Sequence, residues 1–221
     1  FLITSLLMSE RESTKRVSLS NFWLRRARRL FPALLTVVAT VLVVTWVSGP
    51  DDRTHRVSAD GLASLLYVAN WRFVLSGQSY IRQFLDAAPS PLQHTWSLTI
   101  EEQFYILWPL MFIGICAIAL RCRPSSSMRR WVTGASLLLA TLSFAWLLFL
   151  HARGTDLNRL YYGTDTRVFI ILIGAALGAA TAGRPTLALT NRIGRTLLIG
   201  AGTLGTAALV LALFTVSTDQ D

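Results

Sequence analysis

Cysteine, histidine and charge are all scarce in this sequence, and each scarcity excludes something. The two cysteines, Cys116 and Cys122, sit near one end of the same apolar stretch, and only three histidines accompany them in 221 residues. They frame no disulfide scaffold and offer no metal-ligand spacing, so both are read as free thiols and no metal is expected. Charged residues make up 15% of the chain against 52% hydrophobic ones, too little charge to wet the surface of a soluble domain of this size.

What the chain has instead is long apolar runs. A helix crosses the hydrocarbon core with about 20 apolar residues. Leu30 to Ser48, Trp131 to Leu150 and Thr196 to Val216 meet or approach that length without one charged side chain. Phe104 to Leu120 and Val168 to Gly183 are slightly short, but long enough to cross where neighbours or local thinning make up the difference. Phe1 to Leu7 reads as the end of a further span whose beginning is missing, and the chain stops a few residues past the last run. The expected fold is an all-α integral membrane protein, a polytopic helical bundle with about five complete spans plus a truncated N-terminal one, and residues 1–221 are read as a partial domain that lacks flanking helices.

The net charge of +9 resembles a nucleic-acid footprint, but its distribution argues for topology and against a nucleic-acid partner. If Leu30 to Ser48 runs outward, the loops left inside (8–29, 121–130 and 184–195) hold 14 of the 21 lysines and arginines but only Glu10 and Glu12 of the 12 acidic residues. That is the bias of the positive-inside rule, with the arginine-rich loops in the cytoplasm. Asp60 to Gly77 carries Asn70 and Arg72 near its middle; letting it span nearly erases the bias, so it is read as a non-spanning or re-entrant helix on the outer side. Leu19 to Arg29 reads as an interfacial amphipathic helix whose arginines snorkel to water. Pro32 then opens the next span, where its missing N–H is tolerated. Gly174 and Gly178 form a small-xxx-small pair that admits a close neighbour. Gly200, Gly202 and Gly205 spell a dinucleotide-binding pattern but lie inside an apolar run, where packing explains them better.

Few residues are left to carry chemistry. His94, Ser97, Glu101, Tyr105 and Trp108 recur on one helical face that can look into a bundle interior. A carboxylate at the mouth of a membrane helix is a functional-site candidate by default, against the plainer reading of Glu101 as a rim charge in water. Glu102, pointing elsewhere, reads as a solvated or capping charge. His94 is either a general base near neutral pH or a surface residue. Arg25, Arg26, Arg28 and Arg29 present planar donors suited to a phosphorylated ligand, and equally to anionic lipid headgroups. Asp165 and Arg167 are read as an ion pair fixing a helix end, or as the lining of an outer pocket.

In order along the chain, Phe1-Leu2-Ile3-Thr4, Phe22 through Pro32, Tyr67-Val68-Ala69-Asn70-Trp71, His94 through Pro109 and Tyr161 through Arg167 resemble the membrane acyltransferase-3 family of O-acyltransferases. The resemblance implies that Arg26 and Arg29, or Arg25 and Arg28 one residue earlier, form an R-x-x-R pair handling an acyl-CoA donor, with acetyl-CoA the common co-substrate and no permanently bound cofactor. It maps the family's S-x-x-x-E motif onto Ser97 and Glu101. It makes Asn70, Trp96, Tyr105, Asp165 and Arg167 candidates for contact with a carbohydrate acceptor of the cell envelope. The implied location is the bacterial inner membrane, among membrane lipid. The family's first helix carries an arginine-or-lysine and histidine motif that would precede Phe1, so the isolated chain is expected to be inactive. In the implied mechanism the arginines hold the donor's phosphates, Glu101 assists that histidine, and Ser97 holds the carboxylate or the acceptor. A transporter or flippase of a polar substrate is the competing class; it predicts inverted repeats, which the sequence does not display. A non-catalytic sensing or assembly subunit is the third, against which the presence of both motifs counts.

Overall fold

The computed structural model describes residues 1–15, 17–48, 51–77, 90–122 and 127–183, with residues 196, 200 and 203 besides. The chain falls into two compact units, Phe1–Ala180 and Thr181–Asp221; the account below concerns the first. Every regular element among the described residues is helical: α1 (Leu2–Thr14), α2 (Leu19–Ser48), α3 (Asp51–Leu65), α4 (Ala69–Ser76), α5 (Thr95–Cys122), α6 (Met128–Ala152), α7 (Leu157–Tyr162) and α8 (Thr164–Thr181). Among the described residues four stretches are long and apolar enough to cross a membrane: α2, α5, α6, and α7 with α8 taken together over Leu157–Thr181. These overlap four of the five expected spans. Apart from residues 196, 200 and 203, the fifth, Thr196 to Val216, lies outside the described residues, as do Gly202 and Gly205 of the glycine pattern.

The exteriors of these helices are apolar. Trp46, Leu138, Ile118 and Leu177 are all more than half exposed, which suits hydrocarbon and would be untenable in water. The interior is held by small clusters. Leu34 and Val38 of α2 pack on Val57 of α3 and on Leu92, and Ala63, Ala69 and Phe73 gather around the fully buried Tyr162. Gly174 and Gly178 do admit a close neighbour: a Cβ on Gly178 would lie 2.5 Å from the Phe1 carbonyl oxygen, so α1 is the element that uses the small-residue stripe.

Two sequence expectations are corrected here. Leu19 to Arg29 and Leu30 to Ser48 are one continuous helix with Pro32 in its interior, rather than a surface helix followed by a span. A proline removes one backbone bond, which is tolerable in a membrane helix whose freed carbonyl finds another donor or whose neighbours support it. Asp60 to Gly77 is two helices: α3 and α4 break at Leu66–Val68, where Tyr67 takes a positive φ of 55°. The break is stapled by the Val68 N–H on the Ala63 carbonyl, 2.8 Å, and by the Gln103 side-chain amide on the Tyr67 carbonyl, 2.8 Å. Arg72, which argued against a span from the sequence, bonds through Nε to the wholly buried Asp60 at 2.6 Å.

Candidate functional site

The residues of interest converge where the first turns of α2 meet the start of α5. Phe22, Arg26 and Leu30 follow one another at one-turn spacing on α2, so the side chains that face α5 include a guanidinium. Arg26 is clamped there. Its Nε donates to both carboxylate oxygens of Glu102 at 3.0 Å, and its Nη2 donates to Oε1. The Tyr105 ring lies 3.2 Å beneath the guanidinium carbon, and Trp23 Nε1 donates to the Tyr105 carbonyl at 3.2 Å. Glu102 is 4% exposed. A carboxylate that deep is supportable only because it is paired and multiply bonded.

Arg25, Arg26 and Arg29 line one side of a cleft of about 850 Å³, and Leu2, Ile3, Leu6, Leu7, Phe22 and Leu30 supply its apolar wall, with Ser9, Glu10, Ser13 and Tyr105 completing it. Arg28 is exposed and does not line it. Two cationic side chains free of Glu102 therefore face a pocket of mixed character, able to take a ligand with an anionic end and an apolar one.

This geometry revises several site expectations. The two adjacent carboxylates have exchanged surroundings: Glu101, expected on an inward face, is exposed with His94 and Ser97, while Glu102, expected in water, is buried. The inward face of α5 runs through Thr95, Thr99 and Glu102, and through Phe104, Trp108 and Phe112. Periodicity defines the stripes of a helix but not which one its neighbours cover. The hydroxyl near Glu101 is that of Tyr105, at 3.4 Å, one turn on, rather than Ser97. His94 Nδ1 lies 3.0 Å from the Pro91 carbonyl; a carbonyl only accepts, so a hydrogen bond there requires a proton on Nδ1.

Arg26 and Glu102 also meet across the expected topology. The charge count put the first inside and the second outside, whereas the pairs Arg129–Glu12, Arg72–Asp60 and Arg159–Asp165 each join residues assigned to one side. The count treats both as loop charges, but α2 begins before its arginines and α5 before its carboxylates. Charges paired within helices escape such counting.

Asn70 is fully buried and committed to the protein. Its amide donates to the Tyr162 carbonyl and to Thr164 Oγ1, both at 2.9 Å, and accepts from Gln103 Nε2 at 3.1 Å. Trp96 packs on Tyr161 and Tyr162, with centroids 4.7 and 5.6 Å away. Asp165 pairs with Arg159 and not with Arg167: Arg159 donates to it at 2.9 and 2.6 Å, and Trp146 Nε1 at 2.7 Å. Arg167 instead donates to the Tyr161 carbonyl at 3.1 Å and covers that ring. Sequence reasoning missed Glu102, Gln103 and Tyr67 as partners of the site. Burial pushes the Tyr67 phenol above the usual tyrosine range, and the Glu102 carboxylate adds to this against a smaller opposing effect of Arg26, which puts the phenol in the field of that pair. The only sequence signal for these was polar residues inside otherwise apolar helices.

Comparison with known proteins agrees in direction. A family profile described as an acyltransferase domain matches residues 1–220. The chain is 34% identical over 226 residues to the peptidoglycan O-acetyltransferase OatA of Listeria monocytogenes, covering 100% of this chain and 34% of that protein. It is likewise 34% identical over 223 residues to the O-acetyltransferase OatA of Staphylococcus aureus, again covering 100% of this chain and 34% of the relative. The chain thus spans about a third of the length of the relatives it matches. No solved structure matches it.

Proposed function

The chain belongs to the acyltransferase-3 family, and from that premise we propose that it works in a membrane-embedded O-acetyltransferase that moves an acetyl group from acetyl-CoA to a hydroxyl of a cell-envelope glycan, with peptidoglycan the first acceptor to test. The observation that supports this best is the cleft between α1 and α2. Arg25 and Arg29 face it with Arg26 clamped beside them, and the rest of its lining is mainly apolar, with Ser9, Glu10 and Ser13 as the polar exceptions. A coenzyme A thioester has that division: phosphates that suit arginine forks and a pantetheine arm and acyl group that suit leucine, isoleucine and phenylalanine.

Acyl transfer from a thioester to a hydroxyl needs a base for the hydroxyl, a stabiliser for the developing oxyanion, and exclusion of water from the thioester. In this reading the donor enters from the cytoplasm of a bacterial cell with its phosphates on the arginines. Its thioester lies toward the α5 surface that carries Ser97 and Glu101. His94, or a histidine of the family's first-helix motif, takes the proton of the acceptor hydroxyl, and Glu101 orients that imidazolium. The hydroxyl oxygen forms the new ester bond, the carbon–sulfur bond breaks, and the proton leaves with the CoA thiolate.

The test is mass spectrometry of cell-wall glycans from cells lacking the gene that encodes this chain, complemented with the intact gene or its Glu101→Gln variant. An acetyl mass increment restored by the intact gene and not by the inserted variant supports transfer through Glu101. Identical glycans in all strains overturn the reading for that surface.

A further inference from the structure

The two arginines of the R-x-x-R pair differ in their surroundings. Arg29 is exposed beside the cleft, whereas Arg26 already has a full counter-charge in Glu102. A guanidinium carries five N–H donors, and the Nε–H and one Nη2 proton point at Glu102. The Nη1 amino group is left on the far edge of the fork. The Tyr105 ring closes one face of that plane. Tyr105 is itself tied to α2 through Trp23, so neither the rotation nor the tilt of the guanidinium is free.

A cation neutralised this way is poor at attracting a phosphate by charge alone but well made for presenting N–H groups at a set angle. We propose that Glu102 is a positioning residue: by holding the Arg26 fork against Tyr105 it aims Nη1 into the cleft, so that Arg25 and Arg29 supply attraction for the anionic end of the donor and Arg26 supplies orientation. This rests on the reading of the cleft as the acyl-CoA site and adds a role for a carboxylate that stands beside the S-x-x-x-E glutamate but outside it.

The sign of one variant separates this from a charge effect. Glu102→Gln is isosteric and removes a negative charge next to an arginine cleft. If Arg26 acts by charge, the variant binds an anion more tightly. If Glu102 positions Arg26, the fork is released and binding weakens despite the gain in net positive charge.

The experiment titrates the purified, membrane-inserted protein with coenzyme A. We expect Glu102→Gln to raise Kd about tenfold, the loss that follows from one charge-assisted bond. Arg26→Gln should do the same, and the double variant should be no worse than Arg26→Gln alone, because Glu102 acts through Arg26. Glu102→Asp keeps the charge and withdraws the carboxylate by one methylene; it should fall between, and it carries the test if Glu102→Gln does not insert. An unchanged or lower Kd in the Glu102 variants, or additive losses in the double variant, overturns the proposal. No measurable binding to the unaltered protein instead overturns the donor reading of the cleft.

Discussion

Replacing Asn70 tests whether this residue recognises substrate or holds the bundle together. Asn70 is fully buried and makes three hydrogen bonds that link α4 to the Tyr162 carbonyl, to Thr164 and to Gln103. Gln103 in turn donates to the Tyr67 carbonyl, so the amide pair fastens the α3–α4 break to α5 and to the α7–α8 junction. Interhelical hydrogen bonds in membrane proteins average about 0.6 kcal/mol each, which gives roughly 2 kcal/mol for three. Leaving the buried Tyr162 carbonyl without a donor adds about 1 kcal/mol or more. Asn70→Ala should therefore destabilise by about 3 kcal/mol, and at about 2–4 °C per kcal/mol lower the unfolding midpoint by roughly 6–12 °C. The chain carries its own probe: Cys116 is 2% exposed while Cys122 is exposed. In a Cys122→Ser background, a thiol-reactive dye reports unfolding through Cys116 alone. Asn70→Ala with an unchanged midpoint and a lost activity would refute the structural account and return Asn70 to the acceptor site.

Other outcomes follow from the same geometry. Replacing Arg26 and Arg29 together by Ala should weaken use of acetyl-CoA while leaving the amount of inserted protein unchanged; unaltered donor dependence in membranes would count against the cleft. Gly178→Val puts a Cβ against the Phe1 backbone carbonyl, just before α1, at 2.5 Å, a contact that cannot swing away, and should cost about 1–3 kcal/mol in dye-monitored unfolding. Gly134→Ala, with nothing within 4 Å of the added methyl, should instead stabilise α6 by up to about 1 kcal/mol. The raised pKa of Tyr67 makes its neutral form the stabilised one. Its contribution is fully present below the unfolded value of about 10 and fades as pH rises through the folded value. Tyr67→Phe should flatten the loss of stability above about pH 10, and an unaltered alkaline limb in the dye assay would exclude Tyr67 as its source.

The sequence alone determined the membrane class, because a run of apolar residues near the length of the hydrocarbon core has no other low-energy home. It set the region from Asp60 to Gly77 apart from the simple spans, because letting it span, with Arg72 inside, nearly erases the bias of positive charge, and it singled out the small-residue stripe of α8, since only a glycine lets another backbone come within contact. Those are properties of the chain read in order. What the tertiary structure decided is which side chains meet. Spacing puts His94, Ser97 and Glu101 on one stripe and Glu102 on the next, but only the presence of α2 and its Arg26 makes the second stripe the inner one. Counting charges loop by loop assigns each one to a side, and so separated Arg26 from Glu102 across the membrane. The fold joins them, because a desolvated pair with three hydrogen bonds no longer needs the water that each would need alone. The same holds for Asp165, whose partner Arg159 lies six residues back across a helix junction rather than at the neighbouring Arg167, a choice that belongs to the turn between α7 and α8 and is invisible in residue order.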